Sequence, residues 1–304
     1  MPATTQIIVT ENMLKALWYI NSYRYLTVKQ VAEITGMKEK SASEMMLKME
    51  RRKYVGSFGN TGIRGYGKTP KLYYVTPSGY RLMSEEMEPL GWDIEPYKQV
   101  KGETRWSPIM FHRLDVIDCL ITLERALWSV PGYRLAETWV EYRRRKVGRH
   151  WLPETADYVG TPHGSQNKIV PDAAVAIEHE ATGRHALFLM EVDRATERLT
   201  TLSPSAIDKT FRHKMEQYDR YLMSAELKAR YKDLGNYAGP AVLVVTTTDR
   251  RVLNMRAALE TCDPNLHHRY RFSTLEAARI NFLHGQWLSR DSSDTNEYKL
   301  IKGN

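Results

Sequence analysis

Apolar residues recur at helical spacing from the start of the chain. Leu14, Leu17, Trp18 and Tyr19 or Ile20 mark one helix over residues 11–21, and Val28, Val31, Ala32 and Ile34 mark a short second one. Thr27 with Gln30 three positions on has the form of a capping box opening that second helix, and Gly36 is suited to end it. A third apolar stripe, Ala42, Met45, Met46 and Met49, follows a second box-like pair, Ser41 and Glu44. The period then shortens. Tyr54-Val55, a segment holding Gly59, Gly62, Gly65 and Gly67, and Leu72 to Val75 predict a β-hairpin, and a short helix follows from Pro77 to Met83. Helix, glycine, helix and hairpin make a winged helix-turn-helix, expected over residues 1–88, with a Pro-, Gly- and charge-rich linker over 89–106.

The second half is patterned differently. Ser107-Pro108 opens a long helix carrying Phe111, Leu114, Ile117, Cys119, Ile121, Leu123 and Leu127, which Pro131-Gly132 ends. Tyr133 to Tyr142 reads as a strand. Ala173 to Ile177 and His185 to Met190 read as an antiparallel pair folded about Thr182-Gly183-Arg184. A helix over 209–229, with Phe211, Met215, Tyr218 and Leu222 on one face, precedes the β-branched run Ala241 to Thr246, which suits a fully buried strand. The fold class expected is therefore α+β: the winged module, then an α/β domain with a mixed sheet over 107–288. The polar stretch 289–304 is expected to fray.

Folding the hairpin places Asp172 opposite the segment Glu191-Val192-Asp193, and residues two apart on a strand share a face. Three carboxylates close together resist joint ionisation unless a cation neutralises them. Hard oxygen donors of this kind suit Mg²⁺ or Mn²⁺, which can activate water toward a phosphodiester. The plain alternative is a surface hairpin with solvated acids at one end. Arg143, Arg144, Arg145 and Lys146 form a cationic block placed to hold phosphate backbone, or simply a solvated basic turn. In the first module, Lys38, Lys40, Ser41 and Ser43 are candidates for base edges. Lys48, Arg51 and Arg52 on the same helix, and Arg64, Lys68 and Lys71 on the hairpin, are candidates for phosphates.

Charge agrees weakly with a nucleic-acid partner: 44 Lys and Arg against 36 Asp and Glu give a net +8. Two distant cysteines, Cys119 and Cys262, offer neither a zinc spacing nor a disulfide framework, which points to a reducing cytoplasm. No apolar run is long enough to cross a bilayer and no signal-peptide succession opens the chain, so no membrane partner is expected. None of the nine histidines forms a helical pair flanking a glutamate, and none clusters beside a tyrosine as a covalent nicking mechanism requires.

Pro171-Asp172 and the run Phe188 to Glu197 resemble the PD-(D/E)XK (restriction-endonuclease-like) nuclease superfamily. Coupled to an N-terminal winged helix, the arrangement resembles the replication-relaxation family of plasmid and mobile-element proteins over about residues 11–248. The resemblance implies a metal-dependent DNA-cleaving core, an endonuclease or nickase acting on double-stranded plasmid or mobile-element DNA during replication or conjugal mobilisation. Other replication or transfer proteins, and a second copy of the chain, would be its protein partners. Asp172, Glu191 and Asp193 would be both metal ligands and catalytic residues. Where the superfamily's lysine would stand two places after the second acid, this chain has Asp193, and an acid cannot stabilise developing negative charge as a cation does. The resemblance then points to a lysine migrated onto the following helix: Lys214 ahead of Lys209, because Tyr218 lies one turn beyond it. Two other readings compete: a non-catalytic DNA-binding regulator or accessory factor with a degenerate nuclease fold, and a pair of protein-interaction modules.

Overall fold

The computed structural model describes residues 8–59, 61–63, 67–100, 106–160, 167–235 and 237–301. The chain forms two compact units, 1–117 and 118–304.

In the first unit, α1 (Glu11–Tyr23) buries Met13, Leu17 and Ile20, and Thr10 caps it by accepting from the Met13 N–H. In α2 (Val28–Thr35) the capping box forms as the sequence predicts. Gln30 N–H donates to Thr27 Oγ1 at 3.2 Å, Thr27 N–H donates to Gln30 Oε1 at 2.9 Å, and Gly36 ends the helix at φ +68°. The third helix departs from expectation. α3 (Glu39–Arg51) starts two residues before Ser41, is flanked by Lys38 without a side-chain cap, and leaves Ser41 and Glu44 exposed on its surface. Its apolar stripe is as read: Ala42, Met45, Met46 and Met49 are buried. β1 (Val55–Gly59) then pairs antiparallel with β4 (Lys71–Val75), and the short β2 (Gly62–Ile63) and β3 (Gly67–Lys68) pair toward the tip. α4 (Pro77–Met87) closes the unit against α1 and β4. Gly79 allows that closure, because a Cβ there would lie 2.0 Å from the Tyr54 carbonyl oxygen.

The boundary between units falls within α5 (Ile109–Trp128), so its first turns group with the N-terminal unit instead of opening the second. The second unit is built on strands β5 (Tyr133–Val140), β10 (Ala173–His179), β11 (Arg184–Asp193), β12 (Tyr237–Thr246) and β13 (Tyr270–Thr274). The short β14 (Trp287–Leu288) and β15 (Glu297–Tyr298) complete the sheet, whose order is β15-β14-β13-β12-β11-β10-β5. β10 runs antiparallel to both of its neighbours, β5 and β11, while β11, β12 and β13 run parallel. Two small ribbons precede β10: β6 (Arg144–Val147) with β7 (His150–Pro153), and β8 (Asp157–Tyr158) with β9 (Lys168–Ile169).

The β10–β11 turn sits where the sequence places it. Gly183 takes φ +60°, and the Thr182 and Gly183 N–H groups both donate to the His179 carbonyl. Between the parallel strands β11 and β12 lie α6 (Phe211–Leu222) and α7 (Ala225–Arg230), two helices where one was expected. α8 (Asp249–Ala258) and α9 (Leu275–Ile280) follow β12 and β13. Leu187 and Leu189 on one face of β11 pack in a common core with Phe211, Met215, Val252 and Met255. Phe188 and Met190 on the opposite face are also buried, as a strand covered on both sides requires.

Over its described residues, 289–301, the C-terminal stretch does not fray. β15 adds to the sheet, Ile301 is buried, and Arg290 is wholly buried. Its guanidinium meets the Asp219 carboxylate at 2.6 Å, donates to the Asp263 carbonyl and stacks on the Tyr270 ring. Composition suggested a solvated tail, but the groups that hold this arginine lie far upstream, at Asp219, Asp263 and β13.

Candidate active site

Backbone register assembles the acids. Ala173 pairs with Met190, so Asp172, one residue before β10, faces Glu191. Asp172 N–H donates to the Met190 carbonyl at 3.0 Å, and Val192 N–H donates to Asp172 Oδ2 at 2.7 Å, which fixes the carboxylate against β11. Glu191 and Asp193 leave the same face of β11. All three acids are buried.

They do not form one cage. Glu191 is held by α6: the Lys214 ammonium meets Oε2 and the Tyr218 hydroxyl donates to Oε1. These side chains are four residues apart and therefore stacked on one helix face. Thr210 caps the helix by accepting from the His213 N–H. Asp193 is drawn elsewhere. Its Oδ2 accepts from the Thr246 hydroxyl at 2.8 Å, the Ala195 N–H at 3.0 Å and Arg251 Nε at 3.0 Å, while Arg251 also reaches Oδ1 at 3.3 Å. Arg251 further donates to the Glu197 carbonyl, tying α8 to the segment after β11. Of the three acids expected to act together, Asp172 and Glu191 lie with Lys214, and Asp193 pairs with Arg251 beside them.

Electrostatics follow from this burial. Desolvation pushes the Glu191 carboxyl up to about 8, against the pull of Lys214 and with a further push from the charge of Asp172. For Lys214, burial favours the neutral amine, but Glu191, Asp172 and Glu197 together outweigh it and hold the ammonium above its ordinary range. Burial and the Glu191 charge raise the Tyr218 phenol far above its usual value, so it stays a neutral donor. Lys209, the second candidate lysine, ends a 3-10 turn (Pro204–Lys209) and is exposed. Arg251 and Thr246 escaped the sequence reading, since neither carries a local motif and only the parallel pairing of β11 with β12 brings them near Asp193.

The basic candidates divide likewise. On α3, Lys40, Ser41, Lys48, Arg51 and the flanking Arg52 share one exposed face opposite the buried methionines, with Glu44 among them. Lys38 is exposed just before the helix, and Ser43 is half-buried on one flank. Lys68 is exposed, while Arg64 lies outside the described residues. Lys71, expected to meet phosphate, pairs with Glu50 at 2.7 Å and lies over the Tyr73 ring. In the second unit, Arg143 pairs with Glu154 at 3.2 Å and donates to the Thr138 carbonyl, and Arg145 donates to the carbonyls of Glu154 and Ala156. These two arginines hold the protein's own backbone, which leaves Arg144 and Lys146 exposed.

Fold and site together define a mixed α+β protein in which a lysine and a tyrosine engage one of three buried carboxylates at the ends of two interior strands of the sheet. The chain belongs to the replication-relaxation family, whose model matches residues 17–235. No curated protein matches it. Among solved structures, a chain of Bordetella bronchiseptica BpsR, from work on how 6-hydroxynicotinic acid regulates its DNA binding, is 19% identical. That similarity covers 27% of this chain and 59% of BpsR, with a TM-score of 0.23. Among the described residues, no helix is long and apolar enough to cross a membrane.

Proposed function

We propose that this protein is a DNA-directed, metal-dependent endonuclease or nickase acting in the replication or mobilisation of a plasmid or mobile element. The observation that carries the reading is the convergence of Asp172, Glu191 and Lys214, a pair of carboxylates and an ammonium at the end of two adjoining strands. The order α5, β5, β10, β11, α6, β12 and the mixed strand directions also support a PD-(D/E)XK-type core. Two carboxylates and no soft donor fit Mg²⁺ or Mn²⁺, which are commonly bound through one or two carboxylates with water and substrate phosphate completing the shell. Held by Asp172 and Glu191, the ion would supply Lewis-acid polarisation of the phosphoryl group and a more acidic water. Asp193 is left out of this set because the Arg251 guanidinium reaches both of its oxygens and Thr246 and the Ala195 N–H add two further donors.

The remaining roles belong to the chain itself. Val192 N–H orients Asp172, and Tyr218 orients Glu191. Lys214 brings the positive charge that the second acid's neighbour, Asp193, cannot supply to a developing phosphorane. The N-terminal unit serves as a winged helix, with the exposed face of α3 in a major groove and Lys68 near flanking phosphate.

A second reading, a DNA-binding accessory factor that cuts nothing, is favoured by the saturation of Glu191 by two donors. Incubating supercoiled plasmid bearing the element's origin region with the protein and Mg²⁺ or Mn²⁺ separates them. Relaxed or linear product that disappears in Lys214→Met supports the enzyme, and site-specific retention of DNA with no product under either metal supports the accessory factor.

A further inference from the structure

The ribbon β6–β7 has two unlike faces. Cross-strand partners share a face, and the register pairs Arg144 with Pro153 and Lys146 with Trp151. Arg144, Lys146 and Trp151 therefore lie on one side, all exposed, with Trp151 at 65% exposure. The other side includes Arg145, tied to the backbone at the ribbon's base, and the half-buried Leu152. Arg149 adds a cation near the tip, and residues 143–153 contain no acid. An exposed tryptophan between cations contributes little buried apolar area to the fold, since 65% of it meets water.

The ribbon is rooted at the acids. Glu141 N–H donates to the Asp172 carbonyl at 3.1 Å as the chain leaves β5, and the Thr155 hydroxyl donates to the Pro171 carbonyl at 2.6 Å as it leaves β7. Glu154 fastens the base by accepting from the Val140 N–H and pairing with Arg143. Four-residue strands extend the exposed face from that root to about 13 Å beyond it.

We propose that this ribbon grips an unpaired DNA strand beside the Asp172–Glu191–Lys214 cluster, with Trp151 stacking on a base and Arg144 and Lys146 meeting phosphates on either side. Aromatic stacking flanked by cations is how proteins hold single strands without reading sequence, because every base offers a π-face. The inference rests on DNA being the substrate and not on cleavage.

The test is binding of the full chain, without metal, to a fluorescent oligo-deoxythymidine and to a duplex of equal length, followed by anisotropy across a salt series. Trp151→Ala is expected to weaken single-strand binding about tenfold, with duplex affinity unchanged and Trp151→Phe close to the parent. The pair Arg144→Ala with Lys146→Ala is expected to lower the single-strand salt slope by about 1.4. All these positions are exposed, so thermal unfolding of each variant should match the parent. Single-strand binding undiminished in Trp151→Ala overturns the proposal, and so does an equal loss on duplex. A parent that holds duplex but no single strand overturns it too, while leaving the nuclease reading intact.

Discussion

Glu191 and Asp193 are separated by one residue and leave the same face of β11, yet they have different partners and different chemistry. Period-two alternation makes their common face legible in the sequence. It cannot say that an arginine on a later helix, α8, will claim one of them. Because Asp193 and Arg251 are both mostly buried, removing one partner strands a charge, and Arg251→Ala is predicted to destabilise the protein by about 3 kcal/mol in chemical denaturation. Glu191 makes a different prediction. Its carboxyl holds a proton up to about 8, and a metal ligand must release that proton. Mn²⁺ affinity in calorimetry should therefore rise as pH increases toward about 8 and then level off, with proton release that fades above that pH and is absent in Glu191→Gln. A flat profile in the parent would remove Glu191 from the ligand set.

Elements whose signals are local were legible. The capping box of α2 is one, because Thr27 and Gln30 satisfy each other's neighbouring N–H groups without help from the rest of the fold. Thr27→Ala should cost about 1 kcal/mol, read as a shift in the denaturation midpoint. The similar pair Ser41 and Glu44 misled, because the chain turns helical at Glu39 and both residues then sit inside the first turns. The hairpin β10–β11 was legible from its two apolar arms and the glycine between them, and with it the meeting of Asp172 and Glu191. The C-terminal stretch was not, because what orders it is the distant set of Asp219, Asp263 and Tyr270. Arg290→Ala should destabilise the second unit by roughly 3–5 kcal/mol, since Asp219 would lose a fully buried counter-charge. A midpoint equal to the parent's would mean that the tail is held by β14 and β15 alone.

At the scale of the whole molecule, charged groups are distributed differently in the two units. The N-terminal unit carries an exposed cationic helix face and the C-terminal unit carries the acid–lysine cluster with its ribbon. Composition showed the excess of positive charge but not its distribution, and it could not reveal that Lys71, Arg143 and Arg145 are committed to the protein itself. Substitution of Lys48 and Arg51 should weaken duplex binding and reduce its salt slope by about 0.9 for each phosphate that is no longer neutralised. Cleavage measured at saturating protein should survive that change. Whether the cluster cleaves DNA is tested most directly by comparing parent, Asp172→Asn and Asp193→Asn, each confirmed folded by thermal unfolding, on supercoiled origin-bearing plasmid with Mg²⁺. Product is expected from the parent and from Asp193→Asn and none from Asp172→Asn; equal cleavage by Asp172→Asn and the parent would rule out the Asp172–Glu191–Lys214 cluster as the cleavage site.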